Sequence, residues 1–115
     1  CYEQLHFTET SDGRSAAKAD PSGTAILQCV TLDGVLHGFA PTMIKMDIEG
    51  MEPLALAGAT GLIRQYHPQL AVCVYHDISH LWEIPLQIKS LYDGYRIYIR
   101  NYQFMGLETV VYAVP

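Results

Sequence analysis

Residues 44–52 of the chain, IKMDIEGME, decide the fold. The apolar run that leads into them, TMIKMDI at 42–48, predicts a short strand with two apolar faces, interrupted by Lys45. A strand of this kind is typical of the centre of a parallel sheet that is covered on both sides. It ends abruptly in a group of polar and flexible positions, namely Asp47, Glu49, Gly50 and Glu52.

Downstream of this strand, Pro53 suits the first turn of a helix that we predict to run to His67, where Pro68 ends it. The apolar segment LAVCVY at 70–75 predicts a second buried strand. Two buried strands joined by one helix require a right-handed crossover, so we expect the two strands to be parallel neighbours.

The C-terminal third predicts one more helix and a hairpin. Ser79 is a candidate N-cap for a helix that extends to Leu91. The alternating segment at 95–102 and the apolar segment at 108–114 both predict strands, and the link between them is too short for a helical crossover. The predicted fold is therefore an α/β layer with central parallel strands and an antiparallel terminal hairpin.

The N-terminal part is less regular. Residues 8–25 are rich in Ser, Thr, Asp and Gly and predict a loop or poorly ordered segment. Residues 26–32 predict a short strand, after which Asp33 would cap a brief helical turn over 34–38. We also expect the edge of the 43–48 strand to be covered, either by another chain or by residues 1–32 folding back.

Composition limits the function classes. A chain of 115 residues fits one domain, and a net charge of −5 with seven Lys and Arg argues against nucleic acid. No apolar run approaches the roughly 20 residues of a membrane span. The three cysteines, Cys1, Cys29 and Cys73, are an odd number without CxxC spacing, which favours a reducing, cytoplasmic setting.

Polar residues follow both predicted parallel strands. Asp47 and Glu49 leave the first strand, and His76 and Asp77 leave the second. Ligands of open parallel sheets bind beyond the carboxyl ends of the strands, where this set could act as a general base, position a hydroxyl or hold a divalent cation. Equally, carboxylates near a helix start stabilise the helix dipole, and a histidine at a strand end is often structural.

The sequence offers two candidate sets of metal ligands. His76 and His80 have i, i+4 spacing, but His76 ends a strand while His80 opens a helix, so they do not share one helix face. Asp47 with Glu49 is an alternative set of ligands for a divalent cation. We assign no metal at this stage.

Three segments carry a family resemblance: IKMDIEGMEPLALAGA at 44–59, HPQLAVCVYHDISHLWEIPLQIKSL at 67–91 and YRIYIRNYQFMGLETVVYAV at 95–114. With VTLDGVL at 30–36 they resemble the C-terminal part of FkbM-type methyltransferases, over roughly Thr24 to Val114. The resemblance implies a Rossmann-like fold, S-adenosylmethionine as cofactor and O-methylation of a sugar or natural-product hydroxyl. The chain would be one partial FkbM-like domain.

The resemblance also assigns roles to residues. Asp47, Glu49 and His76 are the expected catalytic residues, and Asp47 and Gly50 would form the wall beside the cofactor. Contacts with the methyl acceptor, a small molecule, are expected from Glu52, Tyr75, Asp77 and Trp82, where Tyr75 and Trp82 could instead be packing residues.

This chain departs from the family pattern in the part that precedes the matching segments. A Rossmann-like methyltransferase begins with a strand and a glycine-rich loop, followed by a second strand that ends in a ribose-binding acid. Neither is recognisable here, so we expect the 115 residues alone to be inactive. The alternative is a non-catalytic fragment that acts through association at an exposed sheet edge, including with a second copy of itself.

Overall fold

The computed structural model describes residues 3–7 and 21–115, which form two sheets. The smaller sheet pairs β1 (Glu3–Phe7) with β2 (Ala25–Cys29) in antiparallel orientation. The larger sheet has four strands in the spatial order β3 (Met43–Met46), β4 (Gln69–Cys73), β6 (Thr109–Val114) and β5 (Arg96–Asn101). This is the mixed α/β class that the sequence predicts.

The parallel pair and the terminal hairpin are both confirmed. Strands β3 and β4 are parallel neighbours, with Met43 opposite Gln69 and Met46 opposite Val72. Strand β6 is antiparallel to β4 on one side and to β5 on the other. The hairpin loop contains a 3₁₀ helix at Phe104–Gly106. Because β3 and β4 run the same way, the loops that follow them leave the same edge of the sheet.

Within the described residues, four α-helices accompany the strands: α1 (Leu32–Val35), α2 (Glu52–Ala57), α3 (Thr60–Tyr66) and α4 (His80–Leu91). The prediction of one helix from Pro53 to His67 is wrong, because the chain breaks between α2 and α3. Asp33 is the reason, since its carboxylate accepts the N–H groups of Gly61 and Leu62 at 2.8 and 2.9 Å. These N–H groups belong to the first turn of a helix and need such a partner when a new helix starts.

The predicted role of Asp33 is therefore also wrong. Thr31, not Asp33, caps α1, because its hydroxyl accepts the N–H of Gly34 at 3.1 Å. This cap also explains why β2 ends at Cys29 rather than at Leu32 as predicted. Ser79 does occupy the N-cap position of α4, but its hydroxyl bonds to Glu83 rather than to a backbone N–H.

The hydrophobic core lies between one face of the four-stranded sheet and the helices α2, α3 and α4. Its fully buried members are Leu56, Ala59, Ile63, Val72, Ile84, Ile88, Val111 and Ala113. The opposite face carries a smaller cluster of Ala71, Cys73 and Val110, against which Tyr75 and Tyr112 pack. Side chains of successive strand residues point to opposite faces, so β4 and β6 contribute to both clusters.

The expectation that the 43–48 strand is central is wrong for the described residues, whereas cover of its edge by another chain stays a prediction. Strand β3 is the edge of its sheet, with Met43 55% exposed and only Met46 buried. The described parts of residues 1–32 pair with each other as β1 and β2 and add no strand to β3.

The loop predicted over residues 8–25 lies mostly outside the described residues, and its described end, residues 21–24, has no regular structure before β2 begins at Ala25. Among the residues that the structure describes, no helix combines the length and the apolar character that a membrane span requires.

Candidate active site

The loops after β3 and β4 bring acidic and imidazole groups together, as the sequence predicts. His76 Nε2 lies 3.6 Å from Asp47 Oδ1 and 3.7 Å from Glu49 Oε2. Asp47 directly follows β3, and His76 follows β4 by three residues. The parallel pairing is what places residues so far apart in the chain at one edge of the sheet.

The loop between β3 and α2 turns sharply at Glu49 and Gly50. Their φ angles are 57° and 95°, so both residues adopt left-handed conformations. A Cβ on Gly50 would meet only His76 Cβ, at 3.9 Å, which is an ordinary contact. Gly50 is therefore needed for its backbone conformation and not for space within this chain. Glu49 pays a steric cost for its conformation, and such strain is concentrated at functional sites.

Glu52 is the buried centre of the site. Its side chain is fully buried, and its Oε1 accepts the N–H of Ile48 at 2.9 Å and lies 3.0 Å from His76 Nδ1. Its Oε2 lies 3.7 Å from His80 Nδ1. Glu52 was predicted to contact the substrate, but in this structure it is sealed beneath the two histidines. A fully buried carboxylate is stable only with partners of this kind.

His76 is held between these carboxylates without a well-formed hydrogen bond. Its side chain is 9% exposed, and neither ring nitrogen has a partner in hydrogen-bond geometry, because Glu52 Oε1 is close to Nδ1 but poorly aligned with it. Glu52 Oε2 and His80 Nδ1 are also buried without a hydrogen-bond partner.

Tyr75 and Cys73 approach Asp47 from the other face of the sheet. The Tyr75 hydroxyl donates a hydrogen bond to Asp47 Oδ1 at 3.0 Å, and its ring lies against the His76 ring with the centroids 4.1 Å apart. Burial, together with the hydrogen bond to Asp47, raises the pKa of Tyr75 to about 12. Burial and the charge of Asp47 raise the pKa of Cys73 to about 11. Both groups are therefore protonated at neutral pH, and Tyr75 serves as a donor that orients Asp47.

Asp77 and Trp82 do not join this cluster. The Asp77 carboxylate accepts the N–H of Ser79 at 2.8 Å, and this bond lowers the pKa of Asp77. Asp77 thus helps to start α4 instead of facing His76. Trp82 lies in the first turn of α4 and is 53% exposed.

His80 is the member of the site that the sequence reasoning missed. The sequence offers His80 only as a partner of His76 in a zinc site, and the predicted elements do not place the two residues on one helix face. The structure shows that they need not share one, since both imidazoles face Glu52 from different elements. Their i, i+4 spacing was the available signal.

Comparison with known proteins agrees with this architecture. A family model described as the methyltransferase FkbM domain matches residues 1–104. The chain belongs to the FkbM methyltransferase domain family. The matched span starts further upstream than the Thr24 to Val114 of the predicted resemblance and ends before β6.

A solved structure shares the fold of this FkbM domain. The crystal structure of methyltransferase FkbM from Methylobacillus flagellatus KT, at 2.20 Å resolution, matches with a TM-score of 0.73 and 34% sequence identity. The match covers 77% of this chain but 24% of that one, so the chain spans about a quarter of the length of the solved methyltransferase. Comparison with curated proteins gives no match.

The family implies S-adenosylmethionine as cofactor, but the described residues do not fit a complete site for it. Dinucleotide-type binding in this class of fold uses a glycine-rich turn between a strand and the next helix. In the four-stranded sheet, as far as the structure describes it, Gly50 is the one glycine in such a position. The loop from Asp47 to Gly50 supplies one wall beside a ligand, and no step is assigned to the cofactor within this chain.

Proposed function

We propose that this chain is the acceptor-side part of an S-adenosylmethionine-dependent O-methyltransferase that acts on a hydroxyl group of a small molecule, such as a sugar or a natural product. Membership of the FkbM family supports the reaction class. The observation that carries the proposal is the convergence of Asp47, Glu49 and His76 at the carboxyl ends of two parallel strands.

The chain's own task in this reaction is to hold the acceptor hydroxyl and to take its proton. The side chains of Asp47 and Glu49 are 39% and 43% exposed, whereas that of His76 is 9% exposed. The two carboxylates are therefore the groups that a substrate can reach, and His76 positions them from behind. Asp47 already accepts the Tyr75 hydroxyl, so we assign proton removal to Glu49 and hydroxyl alignment to Asp47.

Two of the residues predicted to contact the acceptor keep that role in the proposal. Tyr75 lies beside both Asp47 and His76 and offers an aromatic face to a sugar or an apolar ring. Trp82 offers an exposed indole at the start of α4, the helix that begins just after the His76 loop. Glu52 and Asp77 take the structural roles described above.

The cofactor part of the proposal predicts that residues 1–115 alone show no measurable S-adenosylmethionine binding and no turnover. One wall without an opposite clamp leaves most polar groups of the ligand in water, so little binding free energy is available. Isothermal titration calorimetry of the purified chain measures this directly. Binding should appear when the same segment is placed in a polypeptide that also carries a strand, glycine-rich loop and helix upstream.

The opposite result would be equally informative. Micromolar binding by the 115 residues would show that the cofactor site lies within this chain, and the proposal of an acceptor-side part would then fail. No binding in the extended polypeptide would remove the methyltransferase proposal itself.

A second candidate function rests on the exposed edge of β3. Unpaired N–H and C=O groups at a strand edge recruit another strand, and β3 exposes Met43 and ends near Ile48, which is 40% exposed. We expect the isolated chain to self-associate in sedimentation velocity experiments at micromolar concentration. Met43→Lys, which adds a charge to that edge, should shift the population toward monomer.

A wild-type chain that sediments as a monomer, with rapid amide exchange along 43–46, would contradict the association candidate. Leu86→Lys is the matched control, because Leu86 is 67% exposed on α4 and not on a sheet edge. The control should leave the association unchanged.

A further inference from the structure

Three side chains of the candidate active site form a group with the spacing of metal ligands. Asp47, Glu52 and His76 each offer one ligand atom, and these atoms all lie within 4.8 Å of one another. They come from three different places in the chain: the end of β3, the first turn of α2 and the loop after β4. The Asp47 side chain is 39% exposed, so an ion can reach this group from solvent.

Independent of this spacing, the group contains buried polar atoms without partners. Both ring nitrogens of His76 and Oε2 of Glu52 lack a hydrogen bond, although the His76 side chain is 9% exposed and Glu52 is fully buried. A buried polar atom without a partner is costly, so several such atoms at one place indicate a site that a ligand would satisfy. The unpartnered nitrogens of His76 face the surrounding carboxylates.

On the Nε2 side of His76 the spacing is wider than that of a direct hydrogen bond. A charge-assisted hydrogen bond between a nitrogen and a carboxylate is about 2.7–2.9 Å long, whereas His76 Nε2 lies 3.6 Å from Asp47 Oδ1 and 3.7 Å from Glu49 Oε2. Two donor atoms that bind one ion at about 2.0–2.2 Å lie roughly 3.0–3.6 Å apart when the angle between them at the ion is about 90° to 120°. One ion binds only one ring nitrogen of His76. The distances from Nε2 to Asp47 Oδ1 and Glu49 Oε2, 3.6 and 3.7 Å, lie near the upper end of this spacing, and one ligand atom each from Asp47, Glu52 and His76 lies within 4.8 Å of the others.

The negative charge of the site also favours a bound cation. Three carboxylates, those of Asp47, Glu49 and Glu52, surround one imidazole. Among the described residues no lysine or arginine forms an ion pair with any of them, since the described partners are the two histidines. Uncompensated negative charge next to a buried carboxylate is costly, and a divalent cation compensates it directly.

We propose that Asp47, Glu52 and His76 bind one divalent cation of the first transition row, with Glu49 within reach as a further ligand. An imidazole among the ligands favours ions such as Fe²⁺ or Zn²⁺ over Mg²⁺ and Ca²⁺, which prefer oxygen ligands alone. Binding of the ion requires only residues of this chain and does not depend on methyl transfer.

The catalytic use of the ion rests on the proposed function. A cation at this position would bind the acceptor hydroxyl through its oxygen and lower the pKa of that hydroxyl. The hydroxyl proton would pass to the Glu49 carboxylate, and the O–H electron pair would remain on the oxygen.

Titration of the purified chain with Zn²⁺ alone, followed by calorimetry, tests the site. We expect saturable binding of one ion per chain, weakened at least tenfold, by about 1.4 kcal/mol, in Asp47→Asn and in His76→Ala. Asp47→Asn keeps the size of an exposed side chain, so it guards against loss of binding through misfolding of the His76 variant. Visible absorption of bound Co²⁺ provides a second readout, which should change in the same two variants.

The matched control is His37→Ala, since His37 is an exposed histidine outside the site. It should bind Zn²⁺ with the affinity of the parent chain. Absence of saturable binding, unchanged affinity in Asp47→Asn and His76→Ala, or equal loss in His37→Ala would each overturn the proposal. Because neither cofactor nor acceptor is present, failure here is distinct from failure of methyl transfer, which is judged by its own assay.

Discussion

In a polypeptide that also carries the cofactor-binding half, Glu49→Gln should lower kcat by about 10²–10⁴-fold, the usual contribution of a positioned proton acceptor. The amide keeps the size of the side chain but cannot take the hydroxyl proton. Asp47→Asn should also lower kcat, because it removes the charge that aligns the hydroxyl while keeping an acceptor for Tyr75. Methyl transfer from labelled S-adenosylmethionine to a panel of hydroxylated acceptors measures both effects.

In both variants kcat should fall more than the affinity for S-adenosylmethionine. A loss of kcat with little change in binding indicates an interaction that acts in the transition state. Asp93→Asn is the matched control, since Asp93 is an exposed carboxylate after α4, at the other end of the helix from the site, and pairs only with Lys89 among the described residues. Full activity in Glu49→Gln, or equal losses in Asp93→Asn, would contradict the assignment.

The second large effect concerns stability. Leu56→Ala should reduce the free energy of unfolding by about 2–5 kcal/mol, because Leu56 is fully buried in the core beside the sheet and its removal leaves a cavity. Leu54→Ala, two residues earlier on the same helix, should change it by less than about 0.5 kcal/mol, since Leu54 is 61% exposed. Denaturant unfolding of the two variants and the parent chain measures the difference.

The comparison of Leu56→Ala with Leu54→Ala also tests which face of α2 is buried. Helix α2 begins with Glu52, so the face that α2 buries also fixes how Glu52 reaches His76. A larger loss in Leu54→Ala than in Leu56→Ala would mean that α2 is rotated, and the described geometry of the site would then be wrong.

Much of the site was predictable because it depends on local pattern and on simple topology. Asp47 and His76 each follow a short apolar run, and the helical link between those runs makes the strands parallel neighbours. Their meeting at one edge follows from that arrangement alone. His80 and the buried position of Glu52 were not predicted, because they depend on how α2 and α4 pack against the sheet.

The sequence alone was enough to predict the parallel pair, the terminal hairpin, the family and the order of the elements from β3 onward, apart from the break between α2 and α3. Each of these follows from residues close together in the chain, where periodicity, turn residues and link length act directly. The K-x-D-x-E-G-x-E signature at 45–52 is likewise formed by residues that are close together in the chain.

Only the tertiary structure decided which polar groups meet. Asp33 caps a helix that starts 27 residues later, and it thereby divides the segment from Pro53 to His67, for which the sequence predicts one helix. Glu52 reads as an exposed residue of a first helical turn, yet it is buried between two histidines from another part of the chain. The physical reason is that burial and pairing depend on surfaces brought together by packing, and hydrophobic periodicity reports only which face of each element turns inward.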